Sequence, residues 1–138
     1  MPQTLATLTI DTKGAGLYEI TEDVTHWLHE TGISAGLLTL FCRHTSASLL
    51  ITENASSAVH RDLVRWLAGA VPERSGYEHS AEGPDDMPAH IKAMLTGSSL
   101  VVPVADGRIM LGTWQGLFLA EHRRRPHQRA IVAHVAGD

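Results

Sequence analysis

From Ser98 to its end the chain shows no helical period at all, only short apolar runs divided by turn residues. Leu100 to Val104 is continuous and apolar, and Asp106-Gly107 is a tight-turn signal joining it to Arg108–Leu111. Gly112-Thr113-Trp114-Gln115-Gly116 makes a second, glycine-flanked turn before Leu117–Glu121. A last strand runs from about Gln128 to Val135. Strands joined by tight turns pair with their neighbours, so this third of the chain demands a largely antiparallel sheet. Pro103 marks an edge or a bulge in it.

The preceding segments must cover that sheet. Thr4 to Asp11 alternates Leu5, Thr7 and Thr9 against Ala6, Leu8 and Ile10, a strand with one apolar face. Gly14 and Gly16 break it, and Leu17–Ile20 returns. Thr21 can cap a helix with Glu22 and Asp23 in its first turn, an apolar stripe of Val24, Trp27 and Leu28, and Gly32 at its end. Ile33–Cys42 reads as a buried strand and Ala47–Thr52 as another. Between them, Arg43-His44-Thr45-Ser46 is either an ordinary turn or a way of bringing His44 into a site at the strand ends.

Asn54 or Ser56 can cap the longest helix, Ser57 to Val71, with Val59, Leu63, Trp66, Leu67 and Ala70 at helical spacing. On that stripe Trp66 reads as core rather than as a stacking platform. Pro72 stops the helix. Pro88 suits the start of a third, capped by Asp86, with Ile91, Met94 and Leu95 facing the core and Gly97 at its end. The order is ββαββααββββ. It predicts an α+β fold, one compact domain over residues 1–138 with about three helices.

Bulk properties narrow the function. A chain of 138 residues with 43% apolar content fits one folded domain. A formal net charge of −4 disfavours a general nucleic-acid binder. The single cysteine, Cys42, excludes an intramolecular disulfide and a multi-thiolate zinc site. No run reaches the roughly 18 apolar residues of a membrane span, and no opening run resembles a signal peptide, so the expected setting is the cytoplasm. Nine histidines stand out, since imidazole suits both metal ligation and proton transfer near neutral pH.

Two of those histidines fall in Tyr77–Lys92, a polar stretch holding four carboxylates, a glycine and two prolines between two helices. Such a loop is either a site or a connector whose Asp85 and Asp86 cap the next helix while His79 and His90 face solvent. No P-loop, serine elbow or Cys-X-X-Cys is present. What remains is His44, His79, Asp85, Asp86, His90 and Glu121. Zinc accepts three imidazoles plus a water. No two of these histidines stand four apart on one helix, so only folding can assemble them. Gln115 between two glycines has no turn-forming role, Gly112 and Gly116 would admit a ligand close to the backbone, and Trp114 offers a flat wall or a core residue. Arg123-Arg124-Arg125 is most simply a solvated hairpin tip, with phosphate capture as its functional alternative.

Read together, His44-Thr45-Ser46-Ala47, Asn54, Asp62, Trp66, Tyr77-X-His79, Gly83-Pro84-Asp85-Asp86 with Pro88-Ala89-His90-X-Lys92, Gly97-Ser98-Ser99 and Gly112-Thr113-Trp114-Gln115-Gly116 closely resemble the YjbQ-like family, the secondary thiamine-phosphate synthases. The resemblance implies a half-barrel-like sheet, a homotrimer, and a divalent metal, zinc first, held by His44, His79 and His90. Asp86, Gln115 and Glu121 would line the same pocket in catalytic roles. Thr45, Ser46, Trp114 and Gln115 would contact a small phosphorylated substrate. The implied activity joins a hydroxymethylpyrimidine pyrophosphate to a thiazole phosphate, releasing pyrophosphate, as a side activity. A metal-dependent hydrolase of a phosphorylated metabolite and a non-catalytic metal- or anion-binding module are the alternatives. No role carries over to Arg123–Arg125.

Overall fold

Alternating apolar segments pair into two antiparallel sheets, in a computed structural model that describes residues 2–138. The larger sheet orders β1 (Gln3–Thr12), β8 (His127–Gly137), β3 (Gly36–Cys42), β5 (Ser99–Ala105) and β6 (Arg108–Ile109). The smaller orders β2 (Gly16–Glu19), β7 (Gln115–Glu121) and β4 (Ala47–Glu53). Three helices complete the chain: α1 (Thr21–Thr31), α2 (Ser57–Ala70) and α3 (Asp86–Thr96). The result is the expected α+β arrangement, a half-barrel sheet with a second sheet against it, in the order ββαββααββββ.

Local chemistry explains the joints. Asp106 (φ 52°) and Gly107 (φ 72°) take the left-handed pair that the tight turn between β5 and β6 requires. β6 pairs only with Val104 and Ala105, which leaves the rest of β5 at the sheet edge, where Pro103 is tolerated. Between the sheets lie Leu38 and Leu40 of β3, Leu49 of β4, Leu117 and Leu119 of β7, and Ile131 and Val135 of β8, all buried. Val24, Trp27 and Leu28 of α1 close this core, as the stripe predicts. Each fully buried side chain of this kind stabilises the fold by about 1.5–3 kcal/mol.

Two helices depart from expectation. α2 buries none of its residues, and Trp66 is 67% exposed instead of sitting in the core. The helix packs on the short β2, so its apolar side is wider than the surface it covers. α3 begins at Asp86, two residues before Pro88, and leaves Met94 (75%) and Leu95 exposed while burying Asp86, Pro88 and Ala89. Its first turn is drawn inward by the polar contacts described below. On the outer face of the large sheet, Leu5, Leu37, Phe41 and Val101 are exposed too. The register places Leu37 opposite Pro103 and Ala136, and Phe41 opposite Val132, with Thr39 and His134 between the two rows. No helix among the described residues is long and apolar enough to cross a membrane.

A polar chain pins α3 to the small sheet. Thr96 Oγ1 donates to Lys92 O (2.8 Å), so the hydroxyl of Ser48 must donate to Thr96 Oγ1 (2.5 Å) and accept from His122 Nε2 (2.8 Å). His122 is therefore the neutral Nε2–H tautomer. Burial, reinforced by the Lys92 charge, lowers its pKa to about 4. An unfolded histidine takes its proton near pH 6.5, well before the folded one. This residue's contribution is thus complete above about pH 6.5 and drains away down to about pH 4, by roughly 3 kcal/mol. Urea melts between those pH values should show that loss, and the slope should flatten in His122→Gln.

Candidate metal centre

The loop into α3 turns at Gly83, where Asp86 N donates to Gly83 O (3.3 Å), and Ala89 N donates to Asp85 O (3.0 Å) as the first helical turn closes. Starting the helix at Asp86 puts Asp86 and His90 one turn apart on one face. Asp86 Oδ2 lies 3.3 Å from His90 Nε2 and 2.6 Å from His79 Nε2, which the preceding loop brings back. These three donor atoms all lie within 4.8 Å of one another. The two imidazole rings are tilted by 51° with centroids 5.4 Å apart, so neither covers the other. Asp86 is buried, His90 partly so and His79 exposed, and the group opens outward.

Its electrostatics favour an anionic floor. Burial opposes the charge on Asp86, but the hydrogen bond with His79 and the nearby His90 and Arg123 outweigh it and hold the carboxyl below the usual range. His90 Nδ1–H donates to Thr45 O (2.8 Å), which turns Nε2 toward Asp86. At the rim, Glu82 Oε2 stands 3.8 Å from His79 Nε2. Two imidazole nitrogens and a carboxylate oxygen are a donor set whose chemistry suits a divalent cation. His79, Asp86 and His90 are the residues that could hold one.

Not every residue singled out in the sequence joins this group. His44 stays outside it: its Nε2 accepts the Ala130 N–H (2.7 Å), and burial, with Arg129 nearby, lowers its pKa. It nonetheless shares an open cavity of about 580 Å³ with Thr45, Ala47, His90, Ala93, Met94 and Ser98. Ser46 is buried and accepts from Arg129 Nη2 (3.0 Å). Glu121 is buried with both oxygens saturated, by Thr12 Oγ1 (2.7 Å), Arg123 N (3.1 Å), and Arg129 Nε (2.7 Å) and Nη2. A carboxylate held this way has no free lone pair for catalysis, so within one chain its role is structural. Trp114 and Gln115 lie at the other end of β7, about 20 Å of strand from Glu121. There Gln115 Oε1 accepts the Gly112 N–H (2.7 Å) and Trp114 is exposed. A Cβ on Gly116 would meet Glu19 Oε2 at 2.7 Å and Asn54 Cβ at 2.9 Å, so this close approach is internal packing.

The basic loop also differs from its reading. Arg123 is only 8% exposed and points inward, whereas Arg124 pairs with Glu73 at the surface. The carboxylates that draw Arg123 in, Asp85 and Asp86, lie nearly forty residues earlier, beyond any local pattern. One signal was readable: Asp86 and His90 stand four apart, once the helix is taken to start at Asp86 rather than at Pro88.

Fold and site together define a half-barrel α+β domain carrying a two-histidine, one-carboxylate group that could bind a metal. The chain belongs to the UPF0047 protein YjbQ-like family, whose model matches residues 6–138. It is 49% identical over 132 residues to a UPF0047 protein of Synechocystis sp., covering 95% of this chain and 90% of that one. To the UPF0047 protein YjbQ of Escherichia coli O157:H7 it is 44% identical over 133 residues, 96% of each. Among solved structures, a yjbq/upf0047 family protein of Clostridium acetobutylicum superposes with a TM-score of 0.88 at 32% identity, covering 95% of this chain and 99% of that one. A conserved hypothetical protein of Thermus thermophilus gives 0.85 at 33%, with the same coverage.

Isothermal titration with Zn²⁺ or Co²⁺ should find about one site per chain. Asp86→Asn, which removes the anionic charge, and His90→Ala, which removes a donor nitrogen, should each weaken it by at least about tenfold. Full uptake by His90→Ala would exclude that residue as a ligand.

Proposed function

We propose that this protein is a metal-dependent enzyme acting on a small phosphorylated metabolite, with His79, Asp86 and His90 as the ligands and zinc as the first metal to test. The observation that carries this reading is the convergence of three donor atoms within 4.8 Å at the edge of an open cavity. Bound there, a divalent cation would supply Lewis-acid polarisation of a phosphate oxygen or a lowered pKa for a bound water. The chain does the rest. Thr45 O fixes the His90 ring with Nε2 on the side of Asp86, where it could serve as a ligand. His44, whose Nε2 is an acceptor, carries its proton on Nδ1 and can donate to a substrate in the shared cavity, beside the hydroxyls of Thr45 and Ser98. Ala47, Ala93 and Met94 offer it an apolar wall.

Family resemblance favours one substrate pair, the pyrimidine pyrophosphate and the thiazole phosphate that give thiamine phosphate, as a side activity. Glu82 favours a second reading, hydrolysis of a phosphate ester, because an exposed carboxylate 3.8 Å from His79 Nε2 can accept a proton from an attacking water. Metal-loaded and metal-stripped protein should be assayed with the precursor pair and with a panel of phosphate monoesters. The expected outcome is metal-dependent turnover that falls at least about 10²-fold in Asp86→Asn. Pyrophosphate release from the pair identifies the synthase reaction, and phosphate release from a monoester identifies the hydrolase. Tight binding with no turnover of any compound would leave a binding module and end the enzymatic reading.

The functional unit we propose is a homotrimer. The exposed Leu37, Phe41 and Val101 on the outer face of the large sheet support it, since clustered large apolar side chains are usually covered by a partner. Trp114 and Gln115, remote from the site of their own chain, keep a substrate role only through a neighbouring subunit. Light scattering after size exclusion should give three chains for the natural protein and one for Phe41→Lys/Val101→Lys. An unchanged mass in the double variant would place the contact elsewhere.

A further inference from the structure

We infer that Arg123 is a positioning residue of the metal centre, selecting which oxygen of Asp86 faces the cation and setting the path of the loop that carries it. The inference rests on the metal-site reading above. Arg123 touches no ligand-facing atom. Instead its guanidinium places three donors on one short segment: Nε on Asp85 Oδ2 (3.1 Å), Nη1 on Asp86 Oδ1 (2.8 Å) and Nη2 on Glu82 O (2.9 Å). Asp86 has two oxygens, and this contact takes one of them. Only Oδ2 is left toward His79 and His90. A carboxylate free to rotate would present either oxygen, or both, to the cation.

The fork must itself be held. Arg123 N donates to the buried Glu121 Oε2 (3.1 Å), and the preceding His122 N donates to Ser46 O (3.2 Å), so the backbone from which the side chain starts is tied to the end of the small sheet. Gly83 shapes the loop beneath the fork through its backbone. A Cβ there would stand 3.9 Å from Arg123 Nη2 and 3.2 Å from Asp85 Oδ1, at a left-handed φ of 111° that only glycine adopts freely. Three acceptors in different directions around one plane need a guanidinium. An ammonium in the same place keeps the charge and reaches fewer of them.

The test is Co²⁺ titration of the full chain, followed by calorimetry and by the visible d–d absorption of the bound ion, which reports ligand geometry. Arg123→Gln and Arg123→Lys should bind Co²⁺ about 10- to 100-fold more weakly than the unmodified protein, with a changed spectrum, and Lys should not rescue. Circular dichroism checks that each variant is folded. Asp85→Asn, a milder change that loosens the fork and removes no donor atom, should shift the same spectrum and weaken binding several-fold, and it serves where an Arg123 variant does not fold. Folded Arg123 variants, or Asp85→Asn, with unaltered affinity and spectrum would overturn the inference while leaving the metal site intact. Absence of Co²⁺ binding by the unmodified protein would instead overturn the site, and this inference with it.

Discussion

The buried carboxylate of Glu121 is the constraint on which the rest of the site depends. It sits at the end of β7, takes both Nε and Nη2 of the buried Arg129 from β8 of the other sheet, and accepts from Thr12 of β1 and from the backbone of Arg123. One side chain thereby ties the small sheet to the large one at the end where the candidate centre lies. A buried ion pair of this kind adds little net stability over an apolar replacement, but losing either partner strands a charge and costs about 3–5 kcal/mol. Its value here is geometric. It fixes where the basic loop leaves the sheet, and so where Arg123 can reach.

Much of the fold was readable because it is written in local pattern. The turn at Asp106-Gly107, the stripe of α1 and the order of elements follow from periods of two and 3.6 residues and from glycine placement. The misreadings share a cause: they concern which surface an element meets. The stripe of α2 has the right spacing, yet spacing does not reveal how narrow its support is, so Trp66 ends outside. α3 turns over because its first residue, Asp86, is satisfied inside by Arg123, outweighing the pull of Met94 and Leu95 toward the core. A run of three arginines reads as solvated, and nothing near it in sequence announces the acceptors that bury the first of them.

The site shows the same division. His79 and His90 were legible through family resemblance, and Asp86 as a pocket residue, but not as the donor between the two imidazoles. A carboxylate in place of a third histidine would change the chemistry of an ion held there. Three imidazoles point to zinc, whereas two with one carboxylate also suit iron(II) and other first-row divalent ions. The carboxylate's charge would neutralise part of the cation's and make a bound ion a weaker electrophile than a three-histidine set would leave it.

Fifteen residues, from Val71 to Asp85, run between α2 and α3 without regular structure, and His79 stands midway along them. A cation that joins His79 to the first turn of α3 would act on this span as a removable cross-link, dividing one long excursion into two shorter ones. Loop entropy then makes occupancy of the centre and order in the span two faces of a single equilibrium. The metal-free chain would be the one a protease cuts there, so the ion's presence would be legible in the durability of the backbone, independently of any chemistry it performs.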